Sequence, residues 1–154
     1  MSTQTVLIFC LILAFECINA SCPDGWTRFG GSCYYFGHND VSFLDAQKYC
    51  EGFHGYLVNI NDEDENKFVT SYLEDLKDDR HWIGLTDELI EDVWKHYPSE
   101  TTATFFNWAP GDPNQLKGAN CVAIFRTSGY RWIDEPCTNR FRPLCELSIE
   151  AQLG

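Results

Sequence analysis

The sequence predicts one small α+β domain, because two helical patterns near its start are followed by a series of short strand patterns. The helical patterns repeat apolar residues along one face, and the strand patterns are rich in aromatic residues and bounded by Gly, Pro, Asn and Asp. The chain has 154 residues with no internal repeat or linker, which favours a single domain. Its eight cysteines favour an oxidising compartment, since cytosolic thiols stay reduced.

The charge of the chain excludes two classes of partner. It carries 11 Lys and Arg against 23 Asp and Glu, a formal net charge of −12, and the basic residues form no cluster. Nucleic acids and anionic membrane surfaces are bound mainly through basic side chains. We therefore expect no nucleic acid partner and no membrane insertion.

The first twenty residues have the pattern of a secretory signal peptide. Residues 6–15 are an apolar run, which is shorter than the roughly 20 residues of a membrane-spanning helix. A polar stretch and the small residue Ala20 follow. We predict a signal peptide over 1–20 and a secreted, extracellular domain over 21–154. Cleavage after Ala20 would remove two cysteines and leave six, an even number that can pair completely.

The first part of the mature chain predicts a hairpin and two helices. Residues 26–29 and 32–36 flank a Gly pair, as in a β-hairpin. The first helix is predicted to begin at Ser42 with an imperfect capping box, and the second follows a strand pattern over 56–58 and an acidic first turn over 62–65. The apolar stripes are Phe43, Ala46 and Cys50 in the first helix and Phe68, Val69, Tyr72, Leu73 and Leu76 in the second.

The second part of the chain predicts short strands around one long connection. The turn-rich connection covers residues 98–120, and a connection of this length in a small domain is usually functional. Trp82 and Trp132 are predicted core residues. The strand patterns cover residues 81–85, 93–95, 121–125, 130–133 and 143–146.

Six cysteines allow fifteen pairings, among which the sequence alone does not decide. Short separations favour two local loops and leave the remaining two cysteines to join the first helix to the last strand. The pairs favoured in this way are Cys22–Cys33, Cys121–Cys137 and Cys50–Cys145.

Several motifs, taken together in their order, resemble the C-type lectin-like domain in its long form. They are Cys22-Pro23-Asp24-Gly25-Trp26, Trp82-Ile83-Gly84-Leu85, Asn107-Trp108, Gly111-Asp112-Pro113-Asn114 and Trp132-Ile133-Asp134, with the six cysteines. The resemblance implies a C-type lectin-like fold with two helices, two small antiparallel sheets, a long binding loop and three disulfides in the pairs named above. Among family members, the chain looks most similar to secreted single-domain lectins of invertebrates, including the perlucin-like proteins of molluscs.

The resemblance implies a Ca²⁺ and sugar site on the long loop. Family members use an acid-Pro-amide tripeptide, a Glu before the next cysteine and an Asn-Asp pair after the late Trp, so that Ca²⁺ and two sugar hydroxyls share the same oxygens. Asp112, Asn114 and Asp134 match this set, and the acid-before-amide order is the mannose type. Ala119 and Ile133 stand where the family has Glu and Asn. We therefore expect an incomplete primary Ca²⁺ site.

Two further acidic pairs resemble secondary Ca²⁺ sites of the family. Glu65 and Glu146 match a structural site that a backbone carbonyl near Asn59 would complete. Asp87 and Glu91 match only the first part of an auxiliary site, and we interpret them as a solvated face.

An enzyme is not expected, since the sequence has no nucleophile elbow, zinc-protease motif or phosphate loop, and its cysteines are used in disulfides. The four histidines, which we predict to be at the surface or partly buried, show no ligand spacing; they are His38, His54, His81 and His96.

Two functions follow from the resemblance. The first is a secreted, Ca²⁺-dependent lectin that binds mannose-type glycans in innate immune recognition. The second is a lectin-fold protein without sugar binding that recognises a protein or mineral surface, which the acidic charge, Ala119 and Ile133 favour. A homo-oligomer would add avidity to a weak single site.

Overall fold

A computed structural model describes residues 21–114 and 118–149 of the chain. The predicted signal peptide lies outside these residues. None of the helices within them combines the length and the apolar character that crossing a membrane requires.

The described residues form two α-helices and eight short strands, which confirms the predicted α+β class. In chain order the elements are β1 (Thr27–Phe29), β2 (Ser32–Phe36), α1 (Phe43–Glu51), β3 (Tyr56–Leu57), α2 (Glu63–Leu76), β4 (Arg80–Thr86), β5 (Lys95–His96), β6 (Cys121–Phe125), β7 (Arg131–Glu135) and β8 (Arg142–Ser148).

Helix α1 begins at the predicted capping box. The Asp45 backbone N–H donates to Ser42 Oγ at 3.3 Å, and the Ser42 hydroxyl donates to the Asp45 carboxylate at 2.8 Å. The predicted stripe of Phe43, Ala46 and Cys50 is buried. The capping residues and the buried apolar stripe therefore both support the helix that the sequence predicts here.

Helix α2 begins at Asp62, whose carboxylate accepts the Glu65 backbone N–H at 2.9 Å. The predicted stripe is buried only in its middle, and Leu76 in the last turn is 45% exposed. The first turn instead turns two polar residues inward, Glu65 and Asn66. Asn66 Oδ1 accepts the indole N–H of Trp132 at 3.1 Å, which explains the burial of this amide.

The strands form a sheet in the order β1-β2-β8-β4-β6-β7, with β3 paired to β8 and β5 paired to β4. Its two halves are the two predicted antiparallel sheets. They are joined where β4 and β8 run parallel, at the pairs His81–Arg142 and Trp82–Pro143. Strand β8 thus belongs to both halves and lies in the centre of the sheet.

The core contains both predicted tryptophans, with Trp82 0% and Trp132 1% exposed. Three disulfides are present, in the pairs that the resemblance implied: Cys22–Cys33, Cys50–Cys145 and Cys121–Cys137. The prediction of surface or partly buried histidines is wrong for His81 and His96, which are 1% and 6% exposed. Both lie on strands of the β4–β5 pair, whose position in the core no local pattern reveals.

The long connection before β6 is attached to β7. The Trp132 backbone N–H donates to the Asn107 carbonyl at 2.9 Å, and the Ala109 N–H donates to the Trp132 carbonyl at 2.8 Å. Gly111, with φ of 90°, then turns the chain. These contacts bring the tripeptide that begins at Asp112 beside the end of β7.

Candidate functional site

The structure brings together the three residues predicted for the primary site. The Asn114 side-chain amide donates to Asp112 Oδ1 at 2.9 Å, and the Asn114 backbone N–H donates to Asp134 Oδ1 at 2.9 Å. The peptide bond between Asp112 and Pro113 is cis. Asp134 is buried on β7, while Asn114 is exposed on the loop. The arrangement gathers carboxylate and amide oxygens at the surface, where a hard cation has access.

The electrostatics of this cluster favour a cation. Burial, together with hydrogen bonding to and charge repulsion from the neighbouring carboxyl of Asp134, raises the pKa of Asp112 to about 6. Two carboxylates that repel each other are both stabilised when a divalent ion binds between them. The donor set of Asp112, Asn114 and Asp134 therefore fits Ca²⁺ in its chemistry.

The same cluster lacks side-chain oxygens at two positions. Ala119 is 5% exposed and Ile133 is half-buried, and both are hydrocarbon. Two polar neighbours make contacts outside the cluster. The Asn120 backbone carbonyl accepts the Asp87 N–H at 3.2 Å, and one Glu135 oxygen accepts the Asn139 side-chain amide at 2.7 Å. Completing the site would require oxygens from water, from sugar or from other groups near these two positions.

The second predicted pair, Glu65 and Glu146, lies inside the fold. The two side chains are 7% and 6% exposed. Glu65 accepts the Tyr34 hydroxyl at 2.7 Å and the Asn61 N–H at 2.9 Å. Both donors belong to the protein, so Glu65 connects α2 and the loop that precedes it to strand β2.

Glu146 has a similar set of partners. It accepts the Ser32 hydroxyl at 2.8 Å and the Asn59 backbone N–H at 3.2 Å. Burial raises the pKa of both Glu65 and Glu146, and the charge of Glu65 raises that of Glu146 further. Two buried acids at short range again fit a hard cation, with the Asn59 carbonyl as a neutral ligand. Sequence reasoning missed the donors Tyr34 and Ser32, which only the pairing of β2 with β8 brings near.

The interpretation of Asp87 as part of a solvated face is wrong. Its side chain is 3% exposed, and Oδ2 accepts the Asp92 N–H at 3.1 Å. Oδ1 is buried without a hydrogen-bond partner among the residues that the structure describes. Glu91, by contrast, is exposed as expected. The turn after β4 buries Asp87 because its backbone bonds to Asn120 across the chain.

One further group of potential metal ligands, Glu88 with Cys121 and Cys137, was found in the described part of the chain. The two cysteines are joined in a disulfide, so their sulfurs are not thiolate ligands.

Comparison with known proteins agrees with the geometry. The family profile described as "Lectin C-type domain" matches residues 39–147. A perlucin-like protein of Mytilus galloprovincialis is 30% identical over 148 residues, covering 92% of this chain and 94% of the relative. The C-type lectin domain family 10 member A of Homo sapiens is 36% identical over 134 residues, covering 83% of this chain. The chain spans only 40% of that human relative.

A solved structure has the same fold. The mouse scavenger receptor C-type lectin carbohydrate-recognition domain superposes with a TM-score of 0.75 at 30% identity, covering 83% of this chain and 98% of that one. The profile match, the relatives and the fold agree with the motifs along the sequence. The chain belongs to the C-type lectin domain family.

Proposed function

We propose that the protein is a secreted lectin that binds mannose-type glycans through Ca²⁺ held by Asp112, Asn114 and Asp134. One observation carries this proposal: the loop tripeptide and the acid on β7 are joined directly, through the Asn114 N–H and Asp134 Oδ1 at 2.9 Å. A cluster of oxygens at an accessible loop is what a shared metal and sugar site requires.

The chain's own residues have distinct tasks at this site. Asp134 is fixed on a strand and provides a rigid carboxylate, while Asp112 and Asn114 lie on the loop, where Asn114 is exposed and its side-chain amide donates to Asp112 Oδ1. Bound Ca²⁺ would supply a Lewis-acidic centre for two neighbouring sugar hydroxyls. The carboxylates accept hydrogen bonds from those hydroxyls, and the Asn114 amide donates one.

The missing oxygens at Ala119 and Ile133 set the strength of binding. Loss of one anionic and one neutral ligand moves Ca²⁺ affinity to the weak end of the extracellular range, about 10⁻³ M or weaker. Millimolar extracellular Ca²⁺ and several copies acting on one glycan surface would then be needed for useful retention.

The test is retention of the oxidised protein on immobilised mannose and galactose in millimolar Ca²⁺, followed by elution with EDTA. We expect retention on mannose, release by EDTA and weaker retention on galactose. Asp112→Asn should abolish retention. Asp75→Asn, the same chemical change at an exposed position of α2, is the matched control and should leave retention intact. Retention that persists in EDTA or in Asp112→Asn would contradict the proposed site.

A second function is favoured by the hydrocarbon at Ala119 and Ile133, namely recognition of a protein or mineral surface without sugar. It predicts no retention on either sugar and a melting temperature that Asp112→Asn leaves unchanged in the presence of Ca²⁺.

The proposal extends to the biological setting. Residues 1–20 would direct secretion, and the secreted domain would bind mannose-type glycans of microbes in innate immune recognition. Secretion is tested by expressing the full chain in eukaryotic cells and sequencing the N-terminus of the protein in the medium. A first residue of Ser21 is expected.

A further inference from the structure

Four aromatic rings form one continuous cluster on the face of the domain that carries β2 and α1. We call Trp26, Tyr35, Tyr49 and Phe53 the aromatic cluster. Neighbouring ring centroids are 5.5 Å apart for Trp26–Tyr35, 6.1 Å for Tyr35–Tyr49, 5.4 Å for Tyr49–Phe53 and 5.8 Å for Phe53–Trp26. Tyr35 and Phe53 are also 6.0 Å apart, so each ring contacts at least two others and is held in place by them.

The cluster has an anchored half and an open half. Trp26 and Tyr35 are half-buried and pack against core residues. Phe53 is 44% and Tyr49 36% exposed. The Phe53 backbone N–H donates to the Cys50 carbonyl at 3.0 Å, which fixes the exposed ring beside the end of α1. The partly exposed Tyr49 and Phe53 rings are therefore held in place by the half-buried Trp26 and Tyr35.

The open half also carries a polar edge. The Tyr49 hydroxyl donates to the Tyr35 hydroxyl at 3.4 Å. This bond, together with burial and the charge of Tyr35, raises the pKa of Tyr49 to about 12, so the phenol stays protonated at neutral pH. The exposed surface combines apolar ring faces with hydroxyl groups, which suits an amphipathic ligand.

The cluster is remote from the Ca²⁺ site in the topology. Tyr35 lies on β2, near one end of the strand order, whereas Asp134 lies on β7 at the other end. A ligand on the cluster would therefore require neither Asp112 nor Ca²⁺.

We propose that the aromatic cluster binds β-linked oligomers of glucose or N-acetylglucosamine independently of Ca²⁺. Sugars of this type place all ring substituents equatorially, so each ring offers flat C–H faces that stack on aromatic rings. Their hydroxyls reach the Tyr49 and Tyr35 oxygens at the edge of the cluster. Tyr35 stacks on Tyr49 with an interplanar angle of 27°, so the exposed Tyr49 ring is held in a fixed orientation for such stacking.

The size of the open surface favours a sugar over a protein. Two partly exposed rings present on the order of 200 Å² of aromatic surface. A stable protein interface needs about 800 Å² on each partner. A short run of sugar rings matches the available area, and a second protein chain does not.

The test is titration calorimetry in EDTA with cellohexaose and chitohexaose as probes. Maltohexaose, which differs from cellohexaose only in its linkage, is the ligand control. We expect saturable binding of the two β-linked probes and weaker binding of maltohexaose. Phe53→Ala and Tyr49→Ala should each weaken binding about two- to tenfold. Tyr49→Phe, which keeps the ring, should weaken it less.

Leu44→Ala is the matched protein control, because Leu44 is 50% exposed on the same helix and lies outside the cluster. It should leave binding unchanged, and Asp112→Asn should do the same. Thermal unfolding confirms that each variant is folded. Absence of saturable binding, or binding that both cluster variants leave unchanged, would overturn the proposal. If the wild type dimerises, Phe53→Ala abolishes the dimer and no sugar binds, the proposal is overturned and the cluster is an interface between two copies of the chain. Failure here leaves the EDTA-sensitive retention on mannose unaffected, so the two proposals are tested separately.

Discussion

The two acidic clusters of this domain use the same chemistry in opposite settings. Asp112 and Asp134 meet at a surface loop, where an exposed amide completes the group and solvent has access. Glu65 and Glu146 lie inside the fold, where each of their four oxygens accepts a hydrogen bond from the protein. The first cluster depends on an external partner to neutralise it, whereas the second is already part of the structure. The loop cluster should therefore govern binding, and the buried pair should govern stability.

The largest expected effect is on folding. Glu65→Ala removes the acceptor of the Tyr34 hydroxyl and the Asn61 N–H, and buried unpaired donors cost about 1–3 kcal/mol each. We expect the free energy of unfolding to fall by about 2–4 kcal/mol. Asp112→Ala, at the more exposed cluster, should change it by less than about 0.5 kcal/mol. Urea unfolding in EDTA measures the free energy of unfolding of both variants. Equal losses would contradict the claim that the buried pair, rather than the loop cluster, governs stability.

The next effect is stabilisation by Ca²⁺. If the buried pair holds the ion, a concentration of 100 times the dissociation constant adds about 2.7 kcal/mol to folding. Glu65→Gln keeps the shape and removes one anionic ligand, so it should abolish most of the Ca²⁺-induced rise in melting temperature. A Ca²⁺ response that survives in Glu65→Gln and disappears in Asp112→Asn would place the stabilising ion at the loop instead.

Restoring the missing oxygens should strengthen the loop site. Ala119→Glu combined with Ile133→Asn supplies one carboxylate and one amide beside Asp112 and Asp134. We expect Ca²⁺ affinity at the loop to rise at least about tenfold, as it does when ligand charge is added to such sites. Calorimetric titration in the Glu65→Gln background isolates the loop. Unchanged affinity would show that these two positions do not face the site.

The smallest effect is on the pH dependence of stability. Burial raises the pKa of Glu65 in the folded state above its unfolded value. The folded protein therefore binds this proton more readily, and the associated stability is present at low pH and lost as pH rises through the folded pKa. In EDTA, the wild type should gain stability relative to Glu65→Gln as the pH is lowered from 7 to 4. If the free energy of unfolding changed with pH by the same amount in both proteins, the titration of Glu65 would not be the cause of the effect.

The sequence predicted best those features that depend on neighbouring residues. The capping box at Ser42 and the acidic first turn of α2 are local, and both helices begin where they were expected. The strand predicted over residues 93–95 begins instead at Lys95, because the Val93 N–H is used in a turn with Ile90.

The features that sequence reasoning missed depend on tertiary packing. Leu76 continues the apolar stripe of α2 but extends past the core, so it is exposed. His81 and Asp87 are polar yet buried, because β4 is in the middle of the sheet and its end bonds to the long loop. The site residues Asp112, Asn114 and Asp134 came from the resemblance to a family rather than from spacing, and the structure shows that they meet.

Glycan binding at the loop is tested most directly by calorimetric titration of methyl α-mannoside into the oxidised protein, with and without millimolar Ca²⁺. We expect saturable binding in Ca²⁺ that is lost in EDTA and in Asp112→Asn but kept in Glu65→Gln. Binding that is absent in Ca²⁺, or that Asp112→Asn leaves unchanged, would contradict the assignment of glycan binding to the loop.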